Sequence, residues 1–312
     1  MKKNLTILFT VATAWIATTA TPSVATAQTT EVAATPQRNE ERDLGMRPPI
    51  DVTLESSYAA SGKAKFRTTE FGNSDAYNVN VGVSTRATLN EHWSIPLELR
   101  SQNLFLGSPA GVPVPENILT LAFGTGLSYR HNDRWSFTAM VGPTLYKFND
   151  VGDNDVGISG RLTAMWNYSP SLKFMFGILI SPDSDLKVMP IGGLDWIINN
   201  QWDLRLMFPK PRLIYTPDEH WSFHAGSSFN KVIFRTSDSL GTSIGLPQYN
   251  DAIASYIDIR IGAGVGYSFN KNLSVEADGG YSVKRKIDYT RIDERVDFDP
   301  APYAGISLRM SF

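Results

Sequence analysis

From Ile50 onward the apolar residues of this chain recur at every second position, over runs too long for an ordinary sheet. Val79, Val81, Val83, Thr85, Ala87 and Leu89 alternate with Asn78, Asn80, Gly82, Ser84, Arg86 and Thr88. Trp93, Ile95, Leu97 and Leu99 keep the same rhythm, as do the odd positions from Leu119 to Tyr129. Ile257, Ile259, Ile261, Ala263, Val265, Tyr267 and Phe269 face away from Asp258, Arg260, Gly262, Gly264, Gly266 and Ser268. Period two is the signature of a strand with one apolar and one polar face. Soluble antiparallel sheets also alternate, but their strands average ~5–6 residues. Many of these runs reach the ~9–11 residues that cross a bilayer obliquely.

The connections fall into two kinds. One set is short and repetitive: Asn90-Glu91-His92-Trp93-Ser94, Asn132-Asp133-Arg134-Trp135-Ser136, Asn199-Asn200-Gln201-Trp202-Asp203, Asp218-Glu219-His220-Trp221-Ser222 and Asn270-Lys271-Asn272-Leu273-Ser274. Ser169-Pro170-Ser171 joins them by position. The other set is longer and irregular: Gly107 to Glu116, Asn149 to Asp155, Pro182 to Lys187, Ser237 to Asn250 and Asp288 to Arg295. Tight turns at one end and long loops at the other are the pattern of an outer-membrane barrel, with the tight end in the periplasm. Six tryptophans, Trp93, Trp135, Trp166, Trp196, Trp202 and Trp221, lie within a few residues of a short turn on the apolar parity. Indole favours the headgroup level, so six such rings make an aromatic girdle.

These features predict an all-β fold, an antiparallel transmembrane β-barrel over residues 50–312. Counting between turns gives about 14 strands. Phe208-Pro209-Lys210-Pro211-Arg212 interrupts one hairpin and leaves two short strands. Proline cannot donate to a ladder, so about 12 strands is the alternative if this hairpin folds elsewhere. Lys2, Lys3, the apolar stretch Leu5 to Ala17 and the small-x-small run Ala25-Thr26-Ala27 predict a cleaved signal peptide over residues 1–27. Residues 28–49, polar and broken by Pro36, Pro48 and Pro49, are expected to be a disordered periplasmic lead-in. The net charge of −2 gives no electrostatic case for nucleic acid. Absence of cysteine removes disulfides, thiolate catalysis and thiolate metal sites.

The chain ends in Ala301 to Phe312, with Ala304, Ile306, Leu308, Met310 and Phe312 on one face. This stretch resembles the closing strand of outer-membrane barrels, which implies recognition of Phe312 by the barrel assembly machinery. With Val141-Gly142-Pro143, the Asn-Asp-Arg-Trp-Ser type of turn and the Phe208 to Arg212 segment, the chain resembles a bacterial outer-membrane β-barrel family of unknown function. The resemblance would cover Ile50 to Phe312. It implies an outer-membrane location and lipid as a partner, and carries over no substrate and no catalytic residue.

Charges on the polar parity point into the lumen of such a barrel. Glu98, Arg100, Arg161, Asp258, Arg260, Glu276 and Asp278 are the candidate lumen-lining residues, with Asp258 and Arg260 placed to pair with Glu276 and Asp278 across the Asn270 turn. Mixed signs suit a salt-bridged interior or a narrow polar channel rather than a strongly selective pore. The expected role is passage of small polar solutes or a structural role in the membrane. Alternatives are an adhesion barrel acting through its long loops and a lipid-modifying enzyme using Ser222 and His224, for which no third orienting group is visible. Asp150, Asp153 and Asp155 have oxygen-rich spacing but lack the glutamate that ends a calcium loop. No cofactor or metal is expected. The Gly262-x-Gly264-x-Gly266 run lies inside a strand with no helix after it and is not a nucleotide fingerprint.

Overall fold

The computed structural model describes residues 49–147, 155–184 and 186–312. The expected signal peptide and all of the expected lead-in except Pro49 lie outside the described residues, as do Asp150 and Asp153. Among the described residues fifteen strands follow in chain order: β1 (Ile50–Phe66), β2 (Thr69–Thr88), β3 (Trp93–Leu106), β4 (Asn117–Arg130), β5 (Trp135–Leu145), β6 (Val156–Ser169), β7 (Leu172–Ile180), β8 (Val188–Ile197), β9 (Trp202–Met207), β10 (Arg212–Tyr215), β11 (Trp221–Arg235), β12 (Ile253–Asn270), β13 (Leu273–Tyr289), β14 (Glu294–Phe298) and β15 (Ala301–Ser311). Between β11 and β12 lie a short helix, α1 (Leu240–Ser243), and a 3-10 turn (Pro247–Tyr249).

Neighbouring strands pair antiparallel through β13, and both β14 and β15 pair with β13 on one side and β1 on the other. They are one stave interrupted at Asp299-Pro300, where proline lacks the N–H a ladder needs. The barrel is therefore closed, with 14 staves. Closure runs from Asp51 opposite Ser311 to Ala59 opposite Tyr303. The last residue takes part: the Phe312 N–H donates to the Ile50 carbonyl at 2.9 Å, and the Ile50 N–H donates back at 3.1 Å.

The repeated turns have a common cause. In the four that carry tryptophan at the fourth position, the Asx side chain at the first accepts backbone N–H groups two and three residues on, and Asn270 accepts that of Asn272. Asn132 takes those of Arg134 and Trp135 at 2.9 and 2.8 Å. Asn90, Asn199 and Asp218 do the same for His92 and Trp93, Gln201 and Trp202, and His220 and Trp221. The Asx side chain mimics a turn of backbone, and it fixes the tryptophan as the first residue of the next strand. The rings form a belt at this turn end: Trp135 stacks on Trp166 with centroids 5.6 Å apart, and Trp93, Trp202 and Trp221 pack on Tyr129, Tyr215 and Tyr267. Above the belt Leu127, Val141, Leu162, Phe176 and Ile261 leave an exposed apolar band, the surface a bilayer would cover.

The other end differs from a row of long loops. β1 and β2 meet through only Arg67 and Thr68, and the β9–β10 hairpin turns at Phe208 to Pro211, well below the tops of its neighbours. The top of the β11–β12 hairpin leaves the wall and fills the mouth. Val232, Phe234, Ala254 and Tyr256 join a core with Phe66, Leu104, Ile287 and Val296 on the inner faces of β1, β3, β13 and β14. Ile233 and Ile253, of opposite parity, pack on Tyr146 just past β5. Both faces of this tip are thus buried. Alternation alone would send Ile257 and Ile261 to the lipid alike. Ile261 is 56% exposed but Ile257 only 7%, because the upper strand lies inside the mouth.

Candidate functional site

The site is the lumen between the turn end and the buried tip. The charged residues expected there lie on β3, β6, β12 and β13, and Arg260, Glu276 and Asp278 border a cavity. Glu98 and Arg161, from β3 and β6, form an ion pair at 2.9 Å. Arg100 lies next along β3, within electrostatic reach of Glu98 and Glu55. Asp258 and Arg260 bind each other at 2.7 Å. Arg260 also donates to Ser57 at 2.9 Å and lies over the Tyr303 ring, while Ser282 donates to Asp258.

The expected pairing of Asp258 and Arg260 with Glu276 and Asp278 does not form. The β12–β13 register sets Gly264 against Asp278 and Gly266 against Glu276, and leaves Asp258 opposite Arg285. A strand residue can meet only what its register places nearby. Glu276 instead binds Arg212 of β10 at 2.7 Å, with the His224 ring at 3.8 Å. Asp278 sits beside the Tyr303 hydroxyl.

The turn between β9 and β10 supplies what the charged-residue expectation missed. Lys210 bonds Glu55 of β1 at 2.7 Å, and Arg212 bonds Glu276 of β13. Glu55 and Glu276 stand in one row, each beside Ser307 of β15. Lys210 in the turn and Arg212 at the start of β10 therefore clasp two carboxylates on a wall several staves away. The clasp borders a cavity of ≈ 180 Å³ that reaches Glu55, Asn80, Lys210, Ser228, Arg260 and Glu276. Lys210 lies between two prolines outside any strand, so alternation gave no reason to count it as lumen-lining.

Among the described residues no hydrogen bond joins Ser222 to His224, and the nearest partner of the His224 ring is Glu276. His92 and His220 bond turn-end carbonyls of Arg130 and Ser268. Asp155, the one described member of the loop carboxylates, pairs with Arg235 at 3.4 Å. No group of three or more potential metal ligands occurs among the described residues. In the mouth, Tyr146 donates to Asp183, and burial followed by the Asp183 charge pushes its hydroxyl up from the usual tyrosine range. The Asp238 carboxylate, 2.7 Å from Lys147, holds that ammonium above the usual lysine range.

A family model described as a domain of unknown function, DUF6268, matches residues 110–311, more than half of the chain. Val141-Gly142-Pro143 and Phe208 to Arg212 both fall inside the match, which begins later than Ile50. No curated protein sequence matches. Among solved structures, the chain is similar to the COG4313 outer membrane channel from Pseudomonas putida F1, at 10% identity and a TM-score of 0.46, over 85% of this chain and 95% of that one. It is similar to the P. putida toluene transporter TodX at 13% identity and a TM-score of 0.39, over 85% and 90% of the two chains. The NanC porin is similar at 9% identity and a TM-score of 0.39, over 83% and 98%.

Proposed function

This chain belongs to the DUF6268 family, and we propose that it is a narrow outer-membrane channel for small solutes, held constricted by ion pairs across its lumen. The observation that carries the reading is the clasp of Lys210 on Glu55 and Arg212 on Glu276, set around a cavity in an otherwise closed barrel. Each of these ion pairs must offset its own desolvation, and they stand around an open cavity rather than within a filled interior. Balanced signs favour passage of small neutral or weakly charged molecules over selection of one ion sign. On this reading the tight turns face the periplasm, the exposed band meets outer-membrane lipid, and the assembly machinery engages the strand that ends in Phe312.

The role of an adhesion barrel is less well supported. The long loop between β11 and β12 is anchored in the mouth at its two ends, where Thr236 and Tyr249 are buried and Thr236 donates to the Tyr249 carbonyl at 2.7 Å, although Ser237 to Ser239, Thr242, Ser243, Pro247 and Gln248 between them are exposed. A swelling assay on proteoliposomes tests the proposal with sugars of increasing size. Slow entry of pentoses, no entry of trisaccharides, and faster pentose entry in Lys210→Ala with Arg212→Ala are expected. Folded barrels that leave lipid equally impermeable in both forms would overturn it.

A further inference from the structure

The wall of the barrel is incomplete on one side. β8 ladders to β9 only from Gly193 to Ile197. Above that, Val188 to Gly192 have β7 on one side and no ladder partner on the other among the described residues. Across the space, β11 ladders to β10 from Phe223 to Gly226, and the Ser227 and Phe229 N–H groups donate to Pro211 and Pro209 at 3.0 and 2.9 Å. Beyond Phe229 the strand bends inward with the tip that fills the mouth. A notch remains between upper β8 and upper β11. Its sill is the Phe208-Pro209 turn, where Phe208 packs on Phe229 with centroids 5.4 Å apart. Its roof is the β7–β8 loop, held by Lys231 donating to Ser184 at 2.7 Å.

We propose that this notch is a lateral port through which small neutral amphiphiles dissolved in the membrane enter the lumen cavity. Three observations converge on it. The cavity of the proposed channel is continuous with the notch: Leu179, Met189, Phe208 and Phe229 line it together with Asn80 and Ser228. The lining therefore grades from apolar at the rim to polar inside, where neutral groups such as Asn80 and Ser228 stand among paired charges. Its charged groups are already engaged: Glu55 with Lys210, Glu276 with Arg212, Arg260 with Asp258, Lys231 with Ser184 and Asp278 with the Tyr303 hydroxyl. An ion would have to break one of these pairs, whereas a molecule with an apolar body and one hydroxyl or carbonyl would not. The third observation is the β8 edge itself. An open sheet edge is not left in hydrocarbon, and it persists at membrane depth only where it lines a polar cavity. Pro190 stands in the middle of this edge, the position where a missing N–H costs no ladder bond.

The inference rests on the channel reading, and the test separates the two. The chain has no cysteine, so Ser228→Cys places one thiol in the cavity of the full-length protein in liposomes. It is reacted with N-phenylmaleimide, which dissolves in the bilayer, or with a sulfonated maleimide confined to water, each rate normalised to a free thiol. The port predicts a rate about tenfold or more higher for the phenyl reagent, from partition of its ring into the bilayer. Adding Met189→Trp should lower the phenyl rate by a similar factor and leave the sulfonated rate unchanged. A sulfonated reagent as fast as the phenyl one would overturn the port and retain an axial channel. A fast phenyl reaction untouched by Met189→Trp would overturn the port as the route. A thiol that reacts with neither reagent until denaturation would overturn port and channel together.

Discussion

Replacing Lys210 by methionine keeps the length of the side chain and removes its charge, and the consequence can be worked from the clasp. The Lys210–Glu55 pair is 2.7 Å long, with side chains 22% and 31% exposed. Hydrogen bonds to charged groups contribute ~1.5–3 kcal/mol, and breaking a fully buried pair costs ~3–5 kcal/mol. Partial exposure moves the expectation toward the lower range, about 2 kcal/mol for Lys210→Met. Glu55 would keep the Asn80 amide at 3.3 Å and the nearby Arg100 guanidinium, which limits the loss. Glu55→Gln should cost a similar amount. The double variant should cost less than the sum, with a coupling of roughly 1–2 kcal/mol, because once one partner has gone the other no longer has a pair to lose. The assay is urea unfolding in lipid vesicles, read by the heat-modifiable mobility of the folded barrel on a gel. Costs additive to within ~0.5 kcal/mol would refute the claim that the two residues act on each other across the lumen.

Four further outcomes follow from other parts of the barrel. A Cβ at Gly142 would lie 1.7 Å from the Phe123 carbonyl, so Gly142→Val should block pairing of β4 with β5 and lower the yield of heat-modifiable barrel, while Val141→Ala on the exposed face should not. Asn132→Ala removes two hydrogen bonds from its turn and should cost about 1 kcal/mol in urea unfolding. The backbone N–H groups of Trp221 and His220 hold the Asp218 carboxyl below the usual carboxylate range. Its stabilising effect is therefore present above the ordinary aspartate range and is lost as pH falls through the lowered value, so the stability gap between wild type and Asp218→Ala should close in acid. Phe234→Ala in the tip core should cost ~3–5 kcal/mol and loosen the mouth, seen as faster proteolysis within residues 236–252 of the reconstituted protein.

The outside of this barrel was legible in the sequence because lipid imposes a strict period of two. Turn chemistry then marked the ends: Asx at the first position and tryptophan at the fourth say both where a strand stops and which side the ring takes. The inside was legible only as a set. Alternation assigns Glu276 and Arg260 to the lumen, but partners depend on register and on which staves face each other, and neither is written locally. Ile233, Ile253 and Ile257 show a second limit, since their alternation is the same whether the opposite face meets lipid or the inside of the mouth. Lys210 shows a third, because a cation flanked by prolines carries no strand parity from which its direction could be read. Pro190 shows a fourth limit, since a strand proline marks an edge only once the short β9–β10 hairpin is seen to end below it.

The most direct test of the constricted lumen is single-channel conductance of the full chain in planar bilayers, compared with Lys210→Ala carrying Arg212→Ala. The account requires small or rare steps from the wild type and steps several-fold larger from the variant, both insertions being confirmed as folded barrels by heat-modifiable mobility. Large steady conductance from the wild type, or identical steps from the two proteins, would contradict it.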